Sequence, residues 1–305
     1  MFARPGAVEL QDIDVPEGGY DEQIVDIKAA GICGSDLHGI VSPGFRVPPL
    51  VLGHEFVGVC EGQPVAVDPL LSCGVCDLCA RDLTSLCRDR RLVGVHRAGG
   101  LAQAVAVPRS SLCPLPQGLS WTDAAMIEPV ANAVHALALT TDVAGSRLAI
   151  VGAGTVGLVC LLVATSLGAR SVTMIEPVRS RRALATCLGA EMAGPDASDF
   201  DIVLDAAGSA QSRARSVAML RPGGHAVWIG LADDEPGFAA TDLVRGGKRI
   251  TGSFAYTRAE FGQAIDLVRG YDFSWTTIRP LADAPATISA LMRHETDIVK
   301  AIFIP

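Results

Sequence analysis

Four cysteines lie close together in one short segment, at Cys73, Cys76, Cys79 and Cys87. Two of the gaps between them are two residues long, a spacing that suits a tight loop wrapped around a metal ion. Four thiolates can complete a tetrahedral zinc site, which leaves no open position for a substrate. The alternatives are four unrelated thiols or two disulfides. We predict a structural zinc in residues 73–87, so any chemistry must lie elsewhere.

A second set of metal-ligating side chains precedes this segment. Cys33 is flanked by glycines in a predicted loop, and His54 and Glu55 follow about twenty residues later. Thiolate, imidazole and carboxylate together form a ligand set of mixed softness. Each residue alone is more often structural, but their position just before the four-cysteine segment favours a second metal site.

Glu128 is a further candidate ligand. It precedes Pro129 in a helical pattern that runs from residue 122 to residue 139, with Thr122 as the predicted N-cap. Proline inside such a pattern predicts a break or a kink. A carboxylate at a helix break can ligate a metal, and it can equally be a solvated side chain. The spacing does not separate these two interpretations.

The second half of the chain contains a glycine motif between a predicted strand and a predicted helix. The strand, residues 148–151, is a continuous apolar run, as expected for a strand buried on both faces. In this context the motif predicts a dinucleotide site, with the pyrophosphate on the N–H groups of the helix N-terminus. The predicted contacts are Gly152, Gly154, Thr155, Val156 and Gly157.

The acid at the end of the next predicted strand bears on the choice of cofactor. Glu176 lies 19 residues after Gly157. An acid at this distance accepts hydrogen bonds from the ribose and repels a 2′-phosphate, which favours NAD. Arg179, Arg181 and Arg182 follow and could bind a phosphate instead. We predict NAD, with Arg181 as a further contact.

The predicted elements divide the chain into two parts. Alternating apolar and polar residues in the first part indicate short antiparallel strands, including residues 8–15 and 93–96. In the second part strands alternate with helices, which indicates a parallel, doubly wound sheet. The strands predicted there after residue 151 are 172–175, 201–205, 225–230 and 249–253, followed by a helix at 258–269 and a strand at 298–304.

Composition excludes several classes of partner. A chain of 305 residues is long enough for two domains, and its hydrophobic content of 49% is ordinary for a globular protein. The formal net charge of -8, without a long basic run, argues against a nucleic acid or an anionic membrane. The first residues lack a signal-peptide core, and the 9 cysteines therefore indicate a reducing compartment. We expect a cytoplasmic protein.

Together these features resemble the medium-chain, zinc-dependent alcohol and polyol dehydrogenases over nearly the full chain, on the side of the sorbitol and threonine dehydrogenases. The matching features are, in chain order, Gly31-Ile32-Cys33-Gly34-Ser35-Asp36, Gly53-His54-Glu55, the four cysteines, Glu128-Pro129 and Gly152-Ala153-Gly154-Thr155-Val156-Gly157. The resemblance implies an α/β protein with a GroES-like, β-rich catalytic domain (residues 1–128, with 256–305 returning to it) and a Rossmann domain (residues 129–255). It places the active site in the cleft between them.

The resemblance also implies roles for the candidate ligands. Cys33 and His54 would bind a catalytic zinc, which with the structural zinc gives two zinc ions per chain. Glu55 and Glu128 match positions that are ligands, or exchange as ligands, in the polyol and threonine dehydrogenase branch. Simple alcohol dehydrogenases often carry a cysteine where Glu128 stands. The carboxylate therefore favours a polyol, a cyclitol or an amino alcohol as the substrate.

The reaction expected from this resemblance is the reversible oxidation of a secondary alcohol to a ketone, with hydride transfer to NAD. Ser35 is the predicted proton relay or caps its own loop, and His38 passes the proton to solvent or is a plain surface histidine. Asp36 is expected to orient a metal ligand. Asn132 and His135 either line the pocket or pack locally within their helix.

Two alternatives to this function remain from the sequence, a redox-neutral and a non-catalytic family member that both retain zinc and nicotinamide. Residues 253–256 resemble the Phe-Arg-Tyr segment of sorbitol dehydrogenases with Ala255 in place of the arginine that helps to hold a polyol hydroxyl. This difference argues against sorbitol itself. The expected partners are a small alcohol or ketone and further copies of the chain, as a homodimer or homotetramer.

Overall fold

The structure, a computed structural model, describes the whole chain except residues 43, 45, 141, 195 and 234–236. It divides into two compact units, residues 1–128 with 256–305, and residues 129–255. The combination of sheets and helices confirms the predicted α/β class. None of the helices formed by the described residues is both long enough and apolar enough to cross a membrane.

The secondary structure follows the chain order. The strands are β1 (Phe2–Arg4), β2 (Ala7–Val8), β3 (Glu22–Gly31), β4 (Glu55–Cys60), β5 (Gln63–Val67), β6 (Leu70–Leu71), β7 (Arg91–Leu92), β8 (Ala104–Pro108), β9 (Leu112–Pro114), β10 (Arg147–Val151), β11 (Ser171–Ile175), β12 (Glu191–Met192), β13 (Phe200–Asp205), β14 (Leu220–Trp228), β15 (Arg249–Gly252), β16 (Thr277–Pro280) and β17 (Ala301–Ile304). The α-helices are α1 (Gly34–Val41), α2 (Trp121–Ala124), α3 (Ile127–Ala138), α4 (Thr155–Ser166), α5 (Arg179–Cys187), α6 (Ala210–Ala218), α7 (Ala240–Arg245), α8 (Arg258–Leu267) and α9 (Ala284–Met292).

The sheet of the first unit is organised around β3. Its order is β16-β17-β3-β4-β5-β9, and β8 also pairs with β3. Gly31, the last residue of β3, pairs with Glu55, the first residue of β4. Cys33 lies two residues after the end of β3, and His54 immediately precedes β4. The antiparallel register therefore brings the first candidate ligands to the same end of two neighbouring strands.

The four-cysteine segment is a loop whose ends are joined. β6 and β7 pair antiparallel, with Leu70 opposite Leu92 and Leu71 opposite Arg91. The residues between these two short strands therefore leave and return at the same place, which lets them fold back on themselves.

The second unit is built on a six-stranded parallel sheet in the order β12-β11-β10-β13-β14-β15. This confirms the predicted parallel sheet. The chain runs outward from β10 in one direction through β11 and in the other through β13. Ligands of such sheets bind at this reversal, beyond the carboxyl ends of the strands. The glycine motif follows β10 and lies at that point.

Two predicted strands of the first part were wrong. Residues 9–21, all of which the structure describes, form no strand, and Leu10 and Val15 are 59% and 78% exposed. The alternating pattern does not produce a strand, because this described segment is not paired with a neighbouring strand. Residues 94–96 form a turn and Val93 makes only an isolated bridge to Arg97. Gly94 has a φ of +82° and lies so close to Gly53 that a Cβ there would come within 2.3 Å of its carbonyl oxygen.

The helical pattern at residues 122–139 contains the predicted break, but at residues 125–126 rather than at Glu128-Pro129. It forms two helices, α2 and α3. The N-cap of α2 is Ser120 rather than the predicted Thr122, and the Ser120 hydroxyl accepts a hydrogen bond of 3.1 Å from the N–H of Asp123. Pro129 lies in the first turn of α3. N–H groups of the first turn have no partner within a helix, so proline costs no hydrogen bond there and need not kink the helix.

His225 of β14 is a buried histidine in the second unit. Its Nε2 lies 2.8 Å from the hydroxyl of Thr251 on β15, whereas its Nδ1 has no hydrogen-bond partner among the described residues. Burial, and then the nearby Arg249, lower the pKa of His225. The folded protein therefore favours the neutral ring.

We expect the contribution of His225 to the free energy of unfolding to decrease as the pH falls below about 6.5, the pKa of an unperturbed histidine, because the unfolded chain then binds a proton that folded His225 binds more weakly. His225→Gln should reduce this pH dependence. Urea denaturation at pH values from about 5 to about 8 measures it. The control is His294→Asn, which replaces an exposed histidine with positive φ. An unchanged pH dependence in His225→Gln would contradict the assignment.

Candidate functional site

The structure brings the four predicted zinc-binding cysteines together. The Sγ atoms of Cys73, Cys76, Cys79 and Cys87 all lie within 4.8 Å of one another. The Cys76–Cys79 distance is 3.5 Å, and the Cys73–Cys79 and Cys76–Cys87 distances are 3.9 Å. Four sulfurs about 2.3 Å from a central zinc in a tetrahedron would be about 3.8 Å apart. The donor set and its spacing therefore fit a structural zinc.

The backbone of this loop supports thiolates. The N–H of Cys73 donates to Sγ of Cys87 at 3.3 Å. The backbone N–H groups of Cys79 and Arg88 lower the pKa of Cys76 to about 6. Arg88 also bridges back to Asp77 through two hydrogen bonds of 3.0 and 3.1 Å. The backbone thus favours the deprotonated sulfur that a metal requires at Cys76, whereas burial and the neighbouring thiols raise the pKa of Cys79 to about 11.

Cys33, His54 and Glu55 form a second cluster. Their potential ligand atoms lie within 4.8 Å of one another, and His54 and Glu55 are buried while Cys33 is half-buried. A catalytic zinc site has three protein ligands and one open position, in contrast to the closed four-cysteine site. The three side chains therefore fit a metal that must also bind a substrate.

Asp36 links this cluster to α1. Its Oδ2 lies 3.3 Å from Nδ1 of His54, within ion-pair distance although the two are not aligned as a hydrogen bond. The N–H of Cys33 donates to the same oxygen at 3.4 Å, and Arg46 lies 3.4 Å from Oδ1. Burial opposes the ionised carboxylate, but His54 and Arg46 lower the pKa of Asp36 overall. Asp36 thus lies where a residue that orients His54 should be.

Glu55 has a partner that the sequence did not reveal. Lys300, which is 1% exposed, donates to Oε2 of Glu55 and to the carbonyl of Ile32. Gly31 provides the space, because a Cβ there would lie 2.4 Å from Oε2 of Glu55 and 2.9 Å from Nζ of Lys300. The glycine before the cysteine motif is therefore a steric requirement of this ion pair.

Glu128 is buried in the same unit but is not one of the three clustered ligands. Its Oε1 accepts a hydrogen bond of 3.1 Å from the hydroxyl of Tyr256, and the exposed fractions of the two residues are 8% and 1%. Of the two interpretations left open for Glu128, the solvated surface carboxylate is excluded by this burial. Whether Glu128 ligates a metal stays a prediction.

The other predicted residues lie on two helices. Ser35 is half-buried in the first turn of α1, and His38 is exposed one turn later. Asn132 and His135 are half-buried on α3. The roles of these four residues stay predictions.

The glycine motif connects β10 to the N-terminus of α4. Gly152 has a φ of +99°, and a Cβ on Gly157 would lie 1.9 Å from the carbonyl oxygen of Gly152, so Gly157 allows α4 to pack against the loop. A Cβ on Gly154, in contrast, would meet no atom within 4 Å. Gly154, the N-cap of α4, has no side-chain cap, and Thr155 and Val156 follow it in the first turn. This open backbone fits a pyrophosphate.

Glu176 lies beside this loop at the end of β11. Its Oε2 accepts a hydrogen bond of 2.7 Å from the N–H of Ala153, and its Oε1 accepts one of 2.9 Å from the N–H of Val178. Each carboxylate oxygen has two lone pairs, so both can still accept a ribose hydroxyl. Arg181 is half-buried in the first turn of α5.

Three residues of the first unit were missed from the sequence: Lys300, Tyr256 and Arg46. Each is a long polar side chain buried against a carboxylate of the candidate centre. Only Tyr256 carried a signal, because it lies in the segment singled out for its resemblance to sorbitol dehydrogenases. Lys300 and Arg46 stand in apolar surroundings in the sequence, which indicates burial but not the partner.

Comparison with known proteins gives consistent matches to both parts of the chain. Residues 19–117 match the family model of the alcohol dehydrogenase GroES-like domain, and residues 155–270 match that of the zinc-binding dehydrogenases. The chain is 31% identical to L-galactonate-5-dehydrogenase of Escherichia coli K12, over 98% of this chain and 96% of the relative. It is 32% identical to galactitol 1-phosphate 5-dehydrogenase of the same strain, over 74% and 72%.

A solved structure supports the same fold. It is a protein of Sinorhizobium meliloti 1021, described as a zinc-binding dehydrogenase and bound to NADP. The two chains are 30% identical and superpose with a TM-score of 0.91, covering 100% of this chain and 98% of the other. The predicted combination of a GroES-like and a Rossmann-type fold is thereby confirmed.

Substitution by alanine should affect stability at Gly157 and cofactor binding at Gly154. Gly157→Ala should lower the free energy of unfolding by about 1–3 kcal/mol, because the new Cβ overlaps the carbonyl of Gly152. Gly154→Ala should leave it within about 0.5 kcal/mol but weaken binding of the nicotinamide cofactor, because the methyl group occupies the approach of the pyrophosphate. Denaturation curves and fluorescence titration with NADH measure the two effects. Equal losses of stability in both variants would contradict this division.

Proposed function

This chain belongs to the zinc-binding dehydrogenase family, and we propose that it oxidises a secondary alcohol of the polyol, cyclitol or amino-alcohol type reversibly to a ketone, with NAD as the hydride acceptor. The observation that carries the proposal is the cluster of Cys33, His54 and Glu55 within 4.8 Å, separate from the four-cysteine site. The names of the two curated relatives, dehydrogenases of a sugar acid and of a sugar-alcohol phosphate, support a substrate with several hydroxyl groups.

The residues around the cluster would hold its ligands in place. Zinc bound by Cys33, His54 and Glu55 would supply a Lewis acid that favours loss of the proton from an alcohol. Asp36 orients His54, and Lys300 neutralises Glu55. These contacts fix the ligands before the substrate arrives, which is the arrangement expected of a preorganised site.

The alcohol proton needs a path away from a buried centre. Ser35 follows Cys33 by two residues and is half-buried, while His38 is three residues further along α1 and exposed. Residues three apart on a helix lie on the same side of it. Ser35 would accept the proton from the substrate hydroxyl, and His38 would deliver it to solvent.

The second unit would bind the cofactor that accepts the hydride. The pyrophosphate would lie on the N–H groups that begin α4, next to Gly154. Glu176 would accept hydrogen bonds from the hydroxyl groups of the adenosine ribose. A carboxylate held by Ala153 and Val178 repels a 2′-phosphate, which supports NAD rather than NADP.

We further infer two zinc ions per chain, a homodimer or homotetramer, and a cytoplasmic location. The two metal clusters support the zinc count. The resemblance to dimeric and tetrameric dehydrogenases supports the assembly, and a cysteine content that serves metal binding supports a reducing compartment.

Metal analysis tests the central step of the proposal. Wild type should contain about two zinc ions per chain, and Cys33→Ser about one, with the fold retained and oxidation of secondary alcohols lost. Cys76→Ser is the matched control, because it removes the zinc of the four-cysteine loop and should lower the melting temperature. Zinc content and NADH formation with a panel of secondary alcohols, polyols and cyclitols are the measurements. A single zinc that persists in Cys33→Ser would refute the mechanism.

Cofactor preference tests the role of Glu176. Wild type should use NAD with a higher kcat/KM than NADP, and Glu176→Gln should reduce this ratio by at least about tenfold, because the negative charge that repels the 2′-phosphate is removed. Glutamine has only one side-chain oxygen and can accept only one of the two backbone hydrogen bonds. The melting temperatures of the variant and the wild type are therefore compared to check that the variant is folded. Initial rates with both cofactors give the ratio. A wild type that prefers NADP would contradict the assignment.

A further inference from the structure

The hydrogen bond between Tyr256 and Glu128 connects two segments that are far apart in the sequence. Both residues are buried in the first unit, and the hydroxyl of Tyr256 donates to Oε1 of Glu128 at 3.1 Å. Glu128 is a predicted ligand, yet its oxygens do not belong to the set of atoms within 4.8 Å of one another that Cys33, His54 and Glu55 provide. The carboxylate is therefore held by Tyr256 and lies outside that set of atoms.

The position of the Tyr256 ring is fixed from both sides along the chain. Ala255 has a φ of +52°, in the left-handed region that few non-glycine residues occupy. Thr257 is the N-cap of α8 and forms a capping box with Glu260. The ring packs on Phe261 with a centroid distance of 5.5 Å. A turn, a helix cap and a buried aromatic neighbour together leave the hydroxyl little freedom to move.

The charges around this hydroxyl make it a donor. Glu128 accepts its hydrogen bond, and the carboxylates of Asp68 and Glu55 also act electrostatically on it. Asp68 is paired with Arg258 at 3.4 Å, and Glu55 is paired with Lys300. Acidic side chains therefore surround the phenol, and its hydroxyl donates to the carboxylate of Glu128.

We propose that Tyr256 is a positioning residue that holds Glu128 away from the catalytic metal, so that the fourth coordination position stays open for the substrate. The inference rests on the proposed function, because it requires a metal at Cys33, His54 and Glu55. Four protein ligands close a zinc site, whereas three leave it able to bind a substrate. The terminal torsion of a glutamate is broad, so a released Glu128 carboxylate can turn toward the metal.

The test uses Tyr256→Phe, which removes one oxygen and keeps the packing on Phe261. Wild type and variant are loaded with Co²⁺ in place of the catalytic zinc and titrated with imidazole, a small ligand for an open metal position. The visible Co²⁺ spectrum of wild type should respond to imidazole. In Tyr256→Phe the spectrum without imidazole should already differ, and imidazole should bind at least about tenfold more weakly, the factor expected for loss of one hydrogen bond to a charged group.

Two further variants separate positioning from general damage. In Tyr256→Phe/Glu128→Ala, imidazole binding should return to within about twofold of Glu128→Ala alone, because the competing carboxylate is absent. Tyr271→Phe removes a hydroxyl elsewhere in the first unit and should leave both the spectrum and imidazole binding unchanged.

The outcomes distinguish the two proposals. Cobalt and imidazole binding that are the same in Tyr256→Phe as in wild type, or a defect that persists in the double variant, overturn the role of Tyr256 and leave the proposed function standing. If the wild-type protein binds no Co²⁺ that is lost in Cys33→Ser, the proposed function is overturned, and the role of Tyr256 with it.

Discussion

The constraint on which the first unit depends is that a buried carboxylate must be matched by a charge or a hydrogen-bond donor. Glu55 is 2% exposed, and the residue that neutralises it, Lys300, stands 245 positions later in the chain. β17 pairs with β3 through Ile302 opposite Gly31, which places Lys300 beside Glu55. The return of the C-terminal strand to the first sheet is therefore a condition for burying Glu55 at a candidate metal centre.

The same constraint assembles the surrounding residues. Asp36 is paired with Arg46 from the segment after α1, and Asp68 with Arg258 from α8. Glu128, the remaining acid of this group, accepts a hydrogen bond from the hydroxyl of Tyr256. In the proposed arrangement, the hydrogen bond from Tyr256 decides whether Glu128 is a ligand of the metal or only a neighbour.

The two metal clusters of the unit show how donor number separates structure from chemistry. The four-cysteine loop is closed on itself by β6 and β7, and its sulfurs fill a tetrahedron. The cluster of Cys33, His54 and Glu55 offers three donors from the ends of β3 and β4. A structural zinc site uses four protein ligands, whereas a zinc site that binds a substrate uses three and leaves the fourth position open.

The sequence by itself determined the features that local spacing encodes. The cysteine spacing, the glycine motif between an apolar run and a helix, and the alternation of strands and helices predicted the metal loop, the parallel sheet and the family. Tertiary structure alone decided the partners of the buried charges, such as Lys300 with Glu55, and the turn at residues 94–96. Periodicity reports how neighbouring residues are oriented, but an ion pair across 245 positions depends on which strands lie side by side. That choice belongs to the whole sheet and leaves no local pattern.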